Sequence, residues 1–345
     1  MKIVQKKSVV TFGELLLRLT AEHHKRFVQA ESFDARYTGA EANVAVSLVN
    51  WGVEAFAVSI VPDHEIGQAC INYLRRFGVN TDFIVRGGER LGIVFAEIGA
   101  SQRPSQLIYD RSHSCFQDAD PAIFHWERIL AGKGWFHFSG TAPARGKNVI
   151  RTLRDAFSVA KKNGLKISCD MNYRSKLWTI QEARRVMPEL MEFVDVVILG
   201  VEDIVQIFNI PIPEAVRSNL MQDPGPLAEN LRSLSKRYGF SRAAMILRQE
   251  VSASVNQILG VLYDGREMVR SRLYDIVVVD RIGGGDAFTA GVIYGLLMRE
   301  PSQQIIEFAA AASCLKHTIP GDFNLVSVDE VKRLVEAKDI GRIQR

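Results

Sequence analysis

Asp280-Arg281-Ile282-Gly283-Gly284-Gly285-Asp286-Ala287-Phe288 is the stretch from which the fold can be read. Residues 273–279 before it are apolar and β-branched enough to predict a buried strand, and residues 287–298 after it follow a helical pattern. Three glycines between strand and helix allow a sharp turn that brings bare N–H groups up to an anion, and the helix start adds its positive dipole end. Asp286 sharpens this outline of a phosphate site. A carboxylate repels bound phosphate, so it fits better as a base that takes the proton from a hydroxyl attacking a phosphoryl group while the glycine amides hold the developing charge. The plainer reading is a glycine-rich turn with Asp286 as helix N-cap. Two rival motifs fail. A dinucleotide fingerprint from Gly283 needs Gly or Ala where Phe288 stands, and residues 141–148 lack the first Gly and final Ser/Thr of a P-loop.

Composition narrows the class. The 345 residues, 47% hydrophobic, suffice for one large α/β domain or two smaller ones. The net charge of +4 carries no long basic block, which argues against nucleic acid and leaves a small anionic ligand open. Cys70, Cys115, Cys169 and Cys314 form no CxxC, so neither a zinc site nor a disulfide framework is expected, and reducing cytoplasm is. The start, Met1 to Ser8, has no signal-peptide core, and no apolar run reaches the ~18 residues of a membrane span.

Along the chain, residues 9–12 and 15–19 read as strands around Gly13-Glu14, followed by a polar run, 21–34, too long for a simple connection. Gly39, Ala40 and Asn43 then open a helix in which small residues let a ligand approach and Asn43 offers donor and acceptor; tight helix packing is the alternative. Residues 93–98 and 107–109 predict a hairpin ending in Tyr109 and Arg111, and with the early polar run this suggests a small β lid over an α/β body. From residue 135 strands and helices alternate as in a parallel sheet, whose ligands bind beyond the carboxyl ends of strands. Asp170, Asn172 and Arg174 fall at such an end. Ala287, Gly291 and Gly295 recur at helical spacing and call for a close neighbour, for which residues 302–316 are the candidate.

Taken together, residues 39–43, 170–178 and 280–286, with Gly13-Glu14 and residues 321–324, resemble in order the ribokinase-like (phosphofructokinase-B) sugar kinases, and within them the 2-keto-3-deoxygluconate kinases. The resemblance spans nearly the whole chain. It implies a single domain over 1–345, a three-layer α/β/α sandwich with a mostly parallel central sheet, and a small β-sheet lid from segments of about 14–38 and 90–114. It also implies a dimer through the lids and transfer of the ATP γ-phosphoryl group to a sugar hydroxyl with Mg²⁺, a monovalent cation being a further candidate.

By motif, Asp286 matches the base, and Gly283, Gly284 and Gly285 the anion hole. Gly39, Ala40 and Asn43 match the sugar-binding segment, Tyr109 and Arg111 the lid Tyr-x-Arg, and Arg174 the arginine near substrate carboxylate and phosphates. Asn172, Arg248 and Asn324 fall on the nucleotide side. The keto acid's carboxylate would suit Arg111 and Arg174 through paired hydrogen bonds. Arg18 stands near where ribokinases place a sugar-binding Asp, its side chain either joining the pocket or turning away.

The chain departs from the family pattern in three places. Thr38 precedes Gly39 where two glycines are usual, Val94 falls where some members carry tyrosine, and Val201 and Ile204 replace the Asn and Glu that hold the water network around Mg²⁺. Glu202 and Asp203 become the metal candidates. The expected activity is phosphorylation of 2-keto-3-deoxygluconate at its terminal hydroxyl. A neutral-sugar kinase of fructose or ribose type, or a non-catalytic sugar-acid sensor, are the alternatives.

Overall fold

The computed structural model describes residues 7–337; residues 1–6, read above as a lead-in without a signal-peptide core, lie outside the described residues. The large sheet contains β1 (Ser8–Phe12), β4 (Glu54–Val61), β5 (Asn80–Arg86), β8 (Trp135–Ser139), β9 (Lys166–Asp170), β10 (Val196–Leu199), β11 (Arg242–Glu250), β12 (Val255–Tyr263), β13 (Met268–Arg270) and β14 (Tyr274–Val277). Its order is β13-β12-β11-β10-β9-β8-β1-β4-β5, with β14 also paired to β12. Pairings from β11 through β5 are parallel and those of β12 are antiparallel. All parallel strands therefore end on one side, and the loops after β1, β8, β9 and β10 are delivered to one edge.

A separate sheet holds β2 (Leu16–Ala21), β3 (Phe33–Thr38), β6 (Gly92–Glu97) and β7 (Gln106–Asp110) in the order β3-β2-β6-β7. Here the expected hairpin pairs antiparallel, Val94 opposite Tyr109. The early polar run ends in β3, a strand that its polar pattern does not announce. Its half-buried Asp34 and Arg36 are charged: Arg36 donates to Asp34 and to the Pro320 carbonyl of the body, so the usual polar-out alternation is inverted.

The strand expected at 273–279 is corrected. It shortens to Tyr274–Val277 and lies beside β12, leaving Leu273, Val277 and Val279 exposed. Only one of its faces is covered, so an apolar run here does not mean full burial. The helix that follows, Gly284–Met298, is buried nearly all round. A Cβ on Gly291 would sit 2.6 Å from Ala309 Cα, so the glycine spacing does admit the Ser302–Lys316 helix at close range. Around β1 the core is aromatic: Phe12 meets Phe116, Phe124 and Trp126 at centroid distances of 5.2–5.4 Å. All four cysteines are free and buried, and no described helix is long and apolar enough to cross a membrane.

Candidate active site

Two cavities open where the carboxyl ends of the strands meet the small sheet. The smaller, about 100 Å³, lies under the lid and is lined by Glu14, Gly39, Ala40, Asn43, Val94, Tyr109, Arg111 and Thr141, among others. The larger, about 380 Å³, runs over β9, β10 and β11 and takes in Asp170, Asp203, Arg248, Arg281 and Gly285. Asn172, Arg174 and Asp286 line both.

Asp286 sits in the first turn of the Gly284–Met298 helix and is 8% exposed. One carboxylate oxygen accepts a 2.6 Å hydrogen bond from Asn43 Nδ2. Burial pushes its pKa up to about 6, against the opposing pull of the Asn43 bond and the charges of Arg174 and Lys316. Neighbouring acids share this environment. Burial raises Glu41 to about 7 despite bonds from Ser139, and raises Asp170 well above the ordinary carboxylate range with Asp286 and Asp203 adding to it. A base that titrates near neutrality, at the wall between two cavities, is matched to taking a hydroxyl proton.

The glycine turn divides its labour. Gly283 has φ +83°, and a Cβ there would lie 1.9 Å from the Asp322 carbonyl oxygen; one on Gly284 would lie 2.2 Å from the His317 ring. Only Gly285 faces free space, and it lines the larger cavity. This refines the expectation: one glycine leaves room for a ligand, while two let the turn pack against residues 317–322. Because the helix starts at Gly284, the N–H groups of Gly285 and Asp286 have no intrahelical acceptor and point outward from a dipole terminus.

On the lid side, Gly39, Ala40, Asn43 and Tyr109 line the smaller cavity. Arg111 is there too, but the fork expected to grip a substrate carboxylate is occupied. Its Nε donates to Glu14 Oε2 at 2.9 Å, Nη2 reaches the same oxygen, and Arg145 Nε stands 3.1 Å from it. Arg174 differs: among the described residues it enters no ion pair, and it borders both cavities. Glu14 belongs to the resemblance but carries no site role in the sequence, where it reads as a turn between strands. Its Oε1 is buried without a partner and lines the cavity, available to a ligand hydroxyl. Thr141, met above only in a failed P-loop, arrives at the end of β8. Arg18 lines the smaller cavity too, with its charge neutralised by Asp280 at 2.8 Å and by Asp322.

On the other side, Arg248 Nη2 lies 3.3 Å from His317 Nε2, and burial lowers the arginine to about 10. Arg281, from the opening stretch, pairs with Glu250 at the rim. The metal candidates separate. Glu202 is exposed and held by Arg217 and Gln206, whereas Asp203 is buried, accepts from the Gly200 N–H at 2.6 Å, and has its pKa raised by burial to about 6. Ile204 is fully buried in the core and Val201 packs against it, so those two positions hold no water network. No group of three acidic, His or Cys side chains among the described residues forms a metal cage. Asp203 and Asp170, both lining the larger cavity, fit Mg²⁺, which typically takes one or two carboxylates along with phosphate oxygens and water. Asn324, expected on the nucleotide side, is buried: its Oδ1 accepts from Val326 N–H at 3.3 Å, it lines neither cavity, and Asn50 and Trp51 both donate to Val326 O beside it.

Comparison with known proteins gives the family. The chain is 29% identical over 333 residues to a 2-dehydro-3-deoxygalactonokinase of Haloferax volcanii, covering 96% of this chain and 98% of that protein. It superposes with a TM-score of 0.92 on the crystal structure of a 2-dehydro-3-deoxygluconokinase from Thermotoga maritima, at 46% identity over 96% of this chain and 98% of the other. A Xylella fastidiosa fructokinase with bound ATP, 20% identical over 96% and 99% of the two chains, shares the fold with a TM-score of 0.75. Residues 6–325 match the model of the pfkB family of carbohydrate kinases, and the chain, with its ribokinase-like α/β fold, belongs to that family.

Proposed function

We propose that this carbohydrate kinase transfers the γ-phosphoryl group of ATP to the terminal hydroxyl of 2-keto-3-deoxygluconate. The observation that carries the reading is the place of Asp286, buried at the wall shared by a lid-covered cavity and a larger one rimmed by Arg248, Arg281 and Gly285. A sugar in the smaller cavity presents its hydroxyl to Asp286, which takes the proton; phosphates in the larger cavity meet the free N–H groups at Gly285 and the uncommitted charge of Arg174. Gly39, Ala40, Asn43, Tyr109 and Glu14 orient the sugar, and Gly283 and Gly284 hold the turn in place. Asp203 and Asp170 would hold Mg²⁺ together with the phosphates, and the ion would supply charge neutralisation there. The relatives named for ketodeoxy sugar acids support an acidic substrate, which Arg174 suits.

Two further parts of the reading rest on composition and surface. The lid turns Leu19, Phe33, Phe95 and Ile108 to its outer face, with Ile108 52% exposed, an apolar surface that supports a dimer through the lids. Four buried thiols without a disulfide fit a reducing compartment, and the cytoplasm is the location we assign.

A panel of 2-keto-3-deoxygluconate, 2-keto-3-deoxygalactonate, fructose and ribose with ATP and Mg²⁺ tests the proposal. Turnover is expected with the keto acids, and the ratio of their kcat/KM values ranks the two epimers. Faster turnover of fructose or ribose sinks the substrate class and leaves the reaction. Tight binding of the keto acid with no transfer under Mg²⁺ or Mn²⁺ identifies a sensor.

A further inference from the structure

The inner face of the lid ends on one short segment of the body, residues 320–322. Three lid side chains meet it. Arg36 Nη1 donates to the Pro320 carbonyl at 2.9 Å, Arg18 Nη1 reaches Asp322 Oδ1, and Thr38 Oγ1 reaches Asp322 Oδ2. Their common direction follows from the pleat. Arg36 and Thr38 alternate along β3, and Arg18 lies directly opposite Arg36 on β2. Arg18 also donates to Asp280 Oδ2 at 2.8 Å, and that oxygen accepts the Gly321 N–H at 3.0 Å while Asp280 Oδ1 accepts Ile282 N–H at 3.1 Å. The start of the glycine turn and the segment packed against it are thus joined to the lid through one guanidinium, 1% exposed.

The segment presses on the turn. The Asp322 carbonyl oxygen occupies the space where a Cβ of Gly283 would be, 1.9 Å from that point. Gly283 keeps its φ of +83° against this neighbour, and Gly283 is the residue from which the Gly285 and Asp286 N–H groups are launched. A displacement of residues 320–322 removes the brace behind the turn. Arg18, Thr38 and Asp322 also border the smaller cavity, but Arg18 spends Nη1 and Nη2 on the two carboxylates, so its hold on the turn acts through position.

We infer that Arg18 is a positioning residue: by clamping Asp280 and Asp322 it transmits the seating of the lid to the glycine turn, so that the anion-binding N–H groups are aligned when the lid is docked. The inference rests on the assignment of that turn as the phosphoryl site, yet its structural half can be tested without any activity. A buried guanidinium holding two carboxylates orders all three groups, and misplacing an anion hole by about 1 Å costs about 100-fold in rate.

The test pairs two readouts on the full chain. Amide hydrogen exchange, followed by mass spectrometry of peptides covering 280–288, is compared in the wild type, Arg18→Met and Arg18→Lys. Faster exchange of about tenfold in Arg18→Met, partly restored in Arg18→Lys, is expected. Alongside it, kcat for the sugar acid should fall about 100-fold while the Kd for ATP stays within about threefold. Unchanged exchange at 280–288 in folded Arg18→Met overturns the inference, as does a rise in sugar KM alone, which would make Arg18 a direct substrate contact. If Arg18→Met does not fold, Arg36→Gln, at a part-exposed site, takes its place: exchange in 280–288 should rise about threefold, and no rise rejects the coupling. A wild type that phosphorylates no sugar would refute the proposed function, and the exchange result would still decide the coupling.

Discussion

Asn43 donates from Nδ2 to the carboxylate of Asp286 at 2.6 Å, across 243 residues of chain. That bond joins the first turns of two helices, Ala40–Asn50 and Gly284–Met298, and it both aims the carboxylate and favours its ionised form. Losing Asp286 should therefore separate chemistry from binding. Asp286→Asn is expected to lower kcat by about 10²–10⁴-fold with ATP affinity within a few-fold, measured by steady-state kinetics and calorimetry. Near-normal turnover would remove Asp286 from the base role.

The same substitution should stabilise the fold at alkaline pH. The folded carboxyl titrates near 6, above its ordinary 3.8, so the folded state prefers it protonated and loses stability as pH rises through about 6. A shift of this size corresponds to about 3 kcal/mol at most. Thermal unfolding of Asp286→Asn should exceed the wild type at pH 8 and converge with it near pH 4; equal midpoints at pH 8 would refute the shift.

Turnover requires the ionised base, so kcat/KM should fall on the acid side with an apparent pKa near 6. Asn43→Leu removes the hydrogen bond that opposes the upward shift, and the acid limb should move to higher pH. An acid limb that stays in place would mean that another group controls it.

Arg111 and Arg174 should fail in different ways. Arg111→Met strips a buried partner from Glu14, a loss of up to about 3–5 kcal/mol that Arg145, 3.1 Å away, softens; unfolding experiments read it. Arg174→Met breaks no ion pair and should leave stability within about 0.5 kcal/mol while raising KM for the keto acid more than for a neutral sugar. The reverse pattern would exchange the two roles.

Gly285→Ala and Gly284→Ala offer a steric contrast. A Cβ at 285 meets nothing within 4 Å, so the fold should tolerate it and transfer should suffer; at 284 the Cβ meets the His317 ring at 2.2 Å and should lower the thermal midpoint. Kinetics and calorimetry on the pair check this, and a destabilised Gly285→Ala would contradict the open space.

How much of this could be read in the chain follows from the range of each interaction. Glycines in a row, alternating strand and helix patterns, and the small-residue face Ala287, Gly291, Gly295 are local statements about backbone freedom and periodicity, and they carried the fold class, the turn and the position of Asp286. Charge partners are not local. Whether Arg111 meets a ligand or Glu14, whether Arg18 turns toward the sugar or into Asp280 and Asp322, and whether Asn324 reaches the nucleotide depended on segments tens to hundreds of residues away, whose relative placement no periodicity encodes. The strand β3 escaped for the same reason: its inward Arg36 makes sense only beside the Pro320 carbonyl of the body, which it contacts. Local pattern alone places a glycine turn and a carboxylate at a helix start in a sugar-kinase fold. The tertiary structure decided which arginines are already neutralised by buried carboxylates and which remains uncommitted, because a buried charge is settled by whatever opposite charge the fold brings within reach.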